Sequence, residues 1–182
     1  LQGQTEIEGY YGHISDLYPF ASATSFHQAI FSPASLHLAF SAHANHYISK
    51  VPCPIAEHVH MVGATEAERA AYEEVGRVEW ERLLALRARE LVPGGRLCMM
   101  SFGIDDNGHH IGATGGVSVF DTFNTLWREL ADEGVINHEE YLRTNFPQVL
   151  RTTEQFTSPL HDEKSEAWAA MRTTLSGVPA SI

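Results

Sequence analysis

The stretch Leu83–Phe102, LLALRARELVPGGRLCMMSF, contains the strongest indication of the fold. Its first part has the composition of a helix, and Pro93-Gly94-Gly95 follows as a stop signal. Two consecutive glycines allow a tight reversal because a positive φ costs them little. The next run, Arg96–Phe102, is short, apolar and bounded by glycines, which is typical of a strand buried in a parallel sheet. We therefore predict that a helix leads here directly into a sheet.

The segments before this stretch predict the rest of a crossover unit. Thr65 and Glu68 have the spacing of a capping box, so a long helix is expected to begin at Thr65. Arg87 and Arg89 lie in its last turn, where positive charges interact favourably with the negative end of the helix dipole. Ser35–Phe40 has alternating apolar positions and predicts an earlier strand, so the order strand, helix, strand indicates an α/β sheet. The apolar face of the helix is predicted to comprise Ala67, Ala71, Val75, Val78 and Leu86.

The remainder of the chain has a helical pattern. The glycine-rich segment Gly103–Gly116 is expected to be a loop. Gly134 is expected to end the first helix after this loop, and Pro147 to break the second. Capping residues and apolar spacing predict four helical segments, which open at about Ser118, Asn137, Thr153 and Ser165.

Composition and charge exclude several classes of protein. Hydrophobic residues make up 43% of the 182 residues, which is enough for one domain with a core. No apolar run approaches the roughly 20 residues of a membrane span, and Leu1–Gly12 has no signal-peptide pattern. The formal net charge of −11 repels phosphate, so nucleic acid is not the expected partner. The two cysteines, Cys53 and Cys98, are expected to be reduced thiols, which indicates a cytoplasmic protein.

A run of short motifs precedes the long helix. Ser25-Phe26-His27 is followed by Phe31-Ser32-Pro33, by Ser35-Leu36-His37 and by the segment Ser41–Pro52, SAHANHYISKVP. This order resembles the salicylate, benzoate, jasmonate and indole-acetate carboxyl methyltransferases, the SABATH family. That family carries Ser-Phe-Tyr, then Phe-Pro-x-x-Ser-Leu-His, then Ser-Ser-Tyr-x-x-His-Trp-Leu-Ser-x-Val-Pro. The Pro-Gly-Gly-Arg turn and the later segments Glu133–Ile136, Asn145–Gln148 and Ala167–Arg172 match in the same order.

The resemblance covers roughly residues 20 to 180. It implies a partial class I methyltransferase sheet, Rossmann-like, with an added helical substrate cap. Residues 1–182 would form a single partial domain, with the sheet core at about 20–116 and the helical cap and return at about 117–182. The implied cofactor is S-adenosyl-L-methionine (SAM), and the implied reaction esterifies the carboxylate of a small-molecule acid.

The resemblance also implies the roles of individual residues. Ser25 and Phe26 lie where the family contacts the adenosine end of the cofactor, since a ring can stack on adenine and a hydroxyl can bond to it. His43, His46 and Tyr47 lie where the family holds its substrate, and their donors suit a carboxylate.

Three further substrate positions come from the same match. Val119 and Phe120 match positions that line the aromatic part of the substrate pocket. Val149 falls where plant members often have Tyr, so the hydrogen bond at that position is lost.

The implied chemistry requires no catalytic acid or base. A carboxylate is already a nucleophile and a sulfonium already a good leaving group, so alignment of oxygen, methyl and sulfur is sufficient. His43 and His46 have the spacing of a helical metal pair, but no third ligand accompanies them, and no metal is expected. His58 and His60 are expected to be surface or packing residues.

The sequence also departs from the family. The acidic-Gly-x-x-x-Gly cofactor loop and the acidic residue that binds the ribose are absent from these 182 residues. So is a segment of the family between Leu160 and Ser165. Tyr47 replaces a Trp, and His43 replaces a Tyr. Three explanations for these departures stay open. The chain is a piece of a longer protein, it comprises only the ordered parts of a longer chain, or it is a relative that no longer binds the cofactor.

Two other functions stay open beside the carboxyl methyltransferase. One is N-methylation of a purine-like molecule, which some family members perform. The other is a non-catalytic binding or dimerisation module, and family members tend to be homodimers. The histidines favour an anionic acid over a neutral purine.

Overall fold

The computed structural model describes residues 13–113 and 118–175, with side chains as far as residue 172. The elements in chain order are β1 Leu36–Ala42, a 3-10 turn Met61–Gly63, α1 Glu66–Glu90, β2 Leu91–Met100, β3 Gly103–Ile104, α2 Val119–Asp132, α3 His138–Arg143, β4 Arg151–Thr152, α4 Thr153–Thr157, a second 3-10 turn Ser158–Leu160, and α5 Glu166–Leu175.

β1 and β2 are parallel and α1 connects them, so the predicted crossover unit is confirmed. The prediction that Pro93-Gly94-Gly95 stops the helix is wrong in position. α1 ends at Glu90, and β2 has already begun at Leu91. The three residues instead form an irregularity inside the strand, where the register shifts between Leu36 and Leu38 of β1. Gly94 has a φ of 80°, a conformation that is unfavourable for residues with a side chain.

The buried face of α1 differs from the predicted one. Val78, which was assigned to the apolar face, is 48% exposed. Besides two leucines, the residues that position the helix include aromatic, glycine and charged side chains, which a simple apolar pattern does not select. The face that contacts the core includes Tyr72, Gly76, Trp80, Leu83, Leu84 and Arg87.

The two-stranded sheet has one covered and one open face. Leu97 and Met99 of β2 pack against the cluster of Trp80, Leu83 and Leu84 on α1, together with Ala167 on α5. On the other face Leu38 and Phe40 are both 64% exposed. Met100 of β2 is 50% exposed on this face as well, so the expectation that Arg96–Phe102 is a strand buried in the sheet is wrong for this face within the described residues.

A buried ion pair joins α1 to the segment before β1. Arg87 Nε and Glu90 Oε2 are 2.8 Å apart, and both side chains are almost fully buried. Arg87 also donates to the carbonyl oxygens of Phe26, at 3.2 Å, and Gln28, at 2.6 Å. Glu90 Oε1 accepts from the backbone N–H of Ile30 at 2.7 Å. The position of the segment around Phe26 therefore depends on this pair.

A short antiparallel contact joins the segment after β1 to the segment before β4. Ile48 N donates to Pro147 O at 2.8 Å, and Val149 N donates to His46 O at 2.7 Å. Arg151 supports this contact by donating to the carbonyl oxygens of Asn45, at 2.9 Å, and Gly76, at 2.7 Å. The core cluster behind it contains Ile48, Ile55, Met61, Ala64, Tyr72 and Val149.

The predicted helix starts agree closely with the structure. Ser118 caps α2, and Asn137 with Glu140 forms a full capping box on α3. Ser165 Oγ accepts from Ala167 N at the start of α5. Thr153 is the first residue of α4, whose cap is Thr152. The predicted loop is interrupted by the short strand β3, which pairs with β4, and residues 114–117 lie outside the described part.

Within the described ranges, no helix is both long and apolar enough to cross a membrane.

Glu90→Gln should destabilise the protein strongly. The change leaves the buried Arg87 without its counter-charge, which costs about 3–5 kcal/mol of unfolding free energy. Urea denaturation measures the loss. The matched control is Glu74→Gln, because Glu74 pairs with Arg77 while both are more than half exposed, and it should change stability little. Equal effects of the two variants would show that the buried pair is not a structural requirement.

Gly76→Ala should also destabilise, although helix propensity alone predicts the opposite. A Cβ at Gly76 would lie 2.9 Å from Val149 Cγ1, so the contact must shift at a cost of about 1–3 kcal/mol. The added methyl should be tolerated much better in a Val149→Ala background. A gain of stability from Gly76→Ala in the wild-type protein would contradict this packing.

Candidate active site

The predicted substrate residues His43, His46 and Tyr47 follow directly after β1. His43 takes a φ of 57°, and its N–H donates to Met100 O at 2.9 Å, which keeps the turn against the end of β2. The His43 ring stacks on Phe102, with centroids 4.6 Å apart. His46 lies 5.0 Å from the same Phe102 ring and 4.6 Å from the Tyr47 ring. The structure thus brings the three residues together, with His43 and His46 against Phe102 and Tyr47 against His46.

His46 is buried while its neighbour Tyr47 is open to solvent. His46 is 2% exposed and Tyr47 41% exposed. His46 Nδ1 has no hydrogen-bond partner among the described residues. Burial lowers the pKa of His46 below 6.5, and the charges of His43 and Arg151 lower it further. The ring is therefore held in its neutral form, which offers one N–H donor.

A second group of residues surrounds Phe120, which was predicted to line the pocket. The Phe120 ring lies flat on His60, with centroids 3.7 Å apart and an interplanar angle of 9°. His60 is fully buried, and this burial lowers its pKa to about 3. Val119, also predicted, is half-buried beside Gly112, where its side chain fills the space that a Cβ would need.

Gln148 connects the two groups. Its Oε1 lies 3.2 Å from His60 Nε2. Its backbone pairs with Tyr47 in an antiparallel bridge. Phe120 is therefore linked to Tyr47 through His60 and Gln148, and the predicted residues of both groups belong to one cluster.

The sequence alone did not assign Phe102, His60 and Gln148 to the site. Phe102 follows β2 just as His43 follows β1, so the rule that ligands bind at the carboxyl ends of parallel strands could have found it. Gln148 lies within the matched segment Asn145–Gln148. His60 was expected to be a surface or packing residue; it is a packing residue, and it also makes a polar contact that no local pattern indicates.

Val149 lies apart from the aromatic rings. Its side chain is 2% exposed and packs against Gly76 and the core cluster behind the antiparallel contact. Its assignment to the substrate stays a prediction.

Ser25 and Phe26, predicted to contact the cofactor, form a turn in which Gln28 N donates to Ser25 O at 2.9 Å. Phe26 lines a cavity of about 300 Å³ with mostly apolar residues, and Ser25 is exposed beside it. An aromatic ring and a hydroxyl fit the adenine end of SAM. No carboxylate is among the described residues that line this cavity, so a partner for the ribose hydroxyls is not supplied here.

A metal centre finds no support in the described ranges, where no three His, Cys, Asp or Glu side chains come together as ligands.

Comparison with known proteins gives a family match and several relatives. The family described as SAM dependent carboxyl methyltransferase matches residues 4–176. Loganic acid O-methyltransferase of Catharanthus roseus is 29% identical over 133 residues, which cover 68% of this chain and 36% of that protein. Gibberellic acid methyltransferase 1 of Arabidopsis thaliana is 28% identical over 149 residues, covering 75% and 40%. Indole-3-acetate O-methyltransferase 1 of Oryza sativa subsp. japonica is 26% identical over 168 residues, covering 87% and 41%.

A solved structure agrees with these relatives. Loganic acid methyltransferase with SAH matches with a TM-score of 0.66 at 26% identity, over 77% of this chain and 42% of that chain. The described elements thus form part of a class I methyltransferase fold, as predicted. The chain spans about two fifths of the length of the curated relatives it matches. Because the family match extends over residues 4–176, the chain belongs to the SAM-dependent carboxyl methyltransferase family.

Proposed function

We propose that the protein transfers the methyl group of SAM to the carboxylate of a small-molecule acid. The observation that carries this proposal is the cluster at the ends of β1 and β2, where neutral donors and aromatic rings meet. His46 is the central member, since its buried Nδ1 lacks a partner among the described residues. An unsatisfied buried polar atom costs about 1–3 kcal/mol, so a partner supplied by the bound acid would remove that cost.

The residues of the chain act by binding and orienting the acid. His46 and Tyr47 donate hydrogen bonds to the carboxylate and direct one oxygen outward for attack. Phe102 holds the His43 and His46 rings in place through its ring contacts. Phe120 presents an apolar wall that excludes water from the reacting oxygen. No proton transfer is required, because the carboxylate is ionised at neutral pH.

The described residues offer SAM a place for its adenine end only. Ser25 and Phe26 hold this end, and the Arg87–Glu90 pair keeps their turn in position. When bound, SAM supplies an activated methyl group on a positively charged sulfur. Aromatic side chains near this charge stabilise it through their ring faces.

The partners follow from the same proposal. The relatives are named for loganic, gibberellic and indole-3-acetic acids, which supports a carboxylic acid as the substrate. The acidic surface does not favour nucleic acid. A second copy of the chain is proposed from the family resemblance. A cytoplasmic location is proposed because both cysteines are free thiols.

Calorimetric titration of the protein with SAH tests the proposal, with thermal shift as a second measurement. Binding of SAH, followed by binding of at least one acid from a panel of loganic, gibberellic and indole-3-acetic acids, is the expected result. No heat and no thermal shift with SAH would contradict a methyltransferase function.

His46→Ala should weaken acid binding and leave SAH binding intact. A hydrogen bond to a charged group contributes about 1.5–3 kcal/mol, so the acid Kd should rise roughly 10-fold or more. Titration of the variant with SAH and with the acid separates the two effects. His161→Ala is the control, since His161 is exposed and lies outside the cluster. Equal loss of SAH and acid binding by His46→Ala would show that its assigned role is wrong.

The neutral state of His60 has its own test in the pH dependence of stability. The folded pKa is about 3 and the ordinary value is 6.5. Below pH 6.5 His60 is protonated in the unfolded chain but stays neutral in the folded chain. Its contribution to the free energy of unfolding is therefore complete above pH 6.5 and decreases as the pH drops towards 3. Between about pH 7.5 and 5.5, His60 should account for a loss of about 1.4 kcal/mol.

Urea denaturation of the wild-type protein and of His60→Gln at both pH values measures this contribution. The variant is expected to be less stable at pH 7.5 but to lose about 1.4 kcal/mol less on acidification, because other titrating groups are common to both proteins. Identical pH dependence in the two proteins would mean that His60 titrates normally in the folded state.

A further inference from the structure

Gln148 and Tyr47 lie side by side on one face of the antiparallel contact. The backbone bonds from Ile48 N to Pro147 O and from Val149 N to His46 O flank this residue pair. The pair is therefore of the kind without its own hydrogen bonds, in which the two Cα atoms approach closely and the side chains project to the same side. The Cβ of Gln148 thus lies next to that of Tyr47, which is predicted to bind the substrate.

The hydrogen bonds of His60 define its tautomer. Val62 N donates to His60 Nδ1 at 3.2 Å, so Nδ1 accepts and carries no hydrogen. The proton of the neutral ring is then on Nε2, which donates to Gln148 Oε1 at 3.2 Å. The flat contact with Phe120 prevents the ring from turning.

This donation determines how the amide of Gln148 is oriented. Its oxygen is directed at His60, so its NH₂ group is directed away from His60, and the backbone pairing starts the side chain next to Tyr47. An amide NH₂ has two donors and no charge, and a carboxylate accepts hydrogen bonds through both oxygens. Gln148 thus offers a neutral donor group beside Tyr47.

We propose that Gln148 is a specificity residue that donates its amide hydrogens to the carboxylate of the substrate acid, and that His60 is a positioning residue that orients this amide. The proposal rests on the proposed function and adds two residues to the site. In this proposal neutral donors recognise the negative charge of the substrate. Acids are then distinguished by how well their carboxylate oxygens fit the directions of these donors.

Three variants of the protein test the proposal, with the SAH complex titrated by the same acid panel. Gln148→Leu removes the donors and should raise the acid Kd about 10-fold or more, while SAH affinity stays unchanged. Gln148→Glu places a negative charge next to the carboxylate and should weaken acid binding further. His60→Phe keeps an aromatic ring against Phe120 but cannot hold the amide, so it should weaken acid binding to a smaller extent.

The double variant His60→Phe/Gln148→Leu separates positioning from a merely structural role. If His60 acts through Gln148, replacing His60 should cause no further loss of acid affinity once Gln148 is Leu. Additive losses would overturn the positioning role. Gln155→Leu is the control, because Gln155 is an exposed capping residue of α4, and it should leave acid affinity unchanged.

The outcomes distinguish this inference from the proposed function. Failure of the wild-type protein to bind SAH overturns the proposed function and the inference with it. Binding of SAH without binding of any acid overturns the carboxylate assignment in both. Wild-type acid affinity in Gln148→Leu overturns the inference alone and leaves the proposed function intact.

Discussion

The antiparallel contact of residues 46–48 with residues 147–149 is the constraint on which the site depends. It brings the turn after β1 against a segment that lies about a hundred residues further along the chain. It fixes Tyr47 directly opposite Gln148, so that a slip by one residue would turn the Gln148 side chain to the other face. Arg151 stabilises the contact by donating hydrogen bonds to the carbonyl oxygens of Asn45 and Gly76.

Burial favours the neutral form of two histidines of the cluster, His46 and His60. The pKa of His60 lies at about 3 and that of His46 is lowered, in both cases mainly through loss of solvation. A charged ring in either place would be costly to bury, whereas a neutral ring retains one donor and one acceptor with defined directions. The site as proposed therefore recognises an anion by directed hydrogen bonds. Arg87 has a different role, because its charge is matched by Glu90 and serves to hold the turn that carries Phe26.

Local signals in the sequence predicted the local structure well. The capping boxes at Thr65 and Asn137 each involve residues three positions apart, and the structure confirms them. The strand and helix patterns of β1, α1 and β2 are also local, and their order was sufficient to predict the crossover that the structure shows. The position of the Pro93-Gly94-Gly95 segment could not be predicted in the same way, because its irregular backbone is defined by the pairing with β1.

Long-range contacts account for most of what the sequence did not indicate. The buried face of α1 depends on what Gly76 and Trp80 meet, namely Val149 and Phe156, which are far away in the chain. His60 and Gln148 are 88 residues apart, so no local pattern relates them. The fold brings His43, His46, Tyr47 and Phe120, to which the resemblance gave substrate roles, into one cluster. Their individual roles, and those of Ser25, Phe26, Val119 and Val149, stay predictions.

Incubation of the protein with methyl-labelled SAM and the panel of acids, followed by treatment of the labelled product with base, distinguishes methylation of a carboxylate from methylation of a nitrogen. Methyl esters are cleaved by base and N-methyl groups are not. If the cluster presents a carboxylate for methylation, label should appear only when an acid is present and should be released by base. Label that resists base, or no transfer to any acid by a protein that binds SAH, would contradict carboxyl methylation at this cluster.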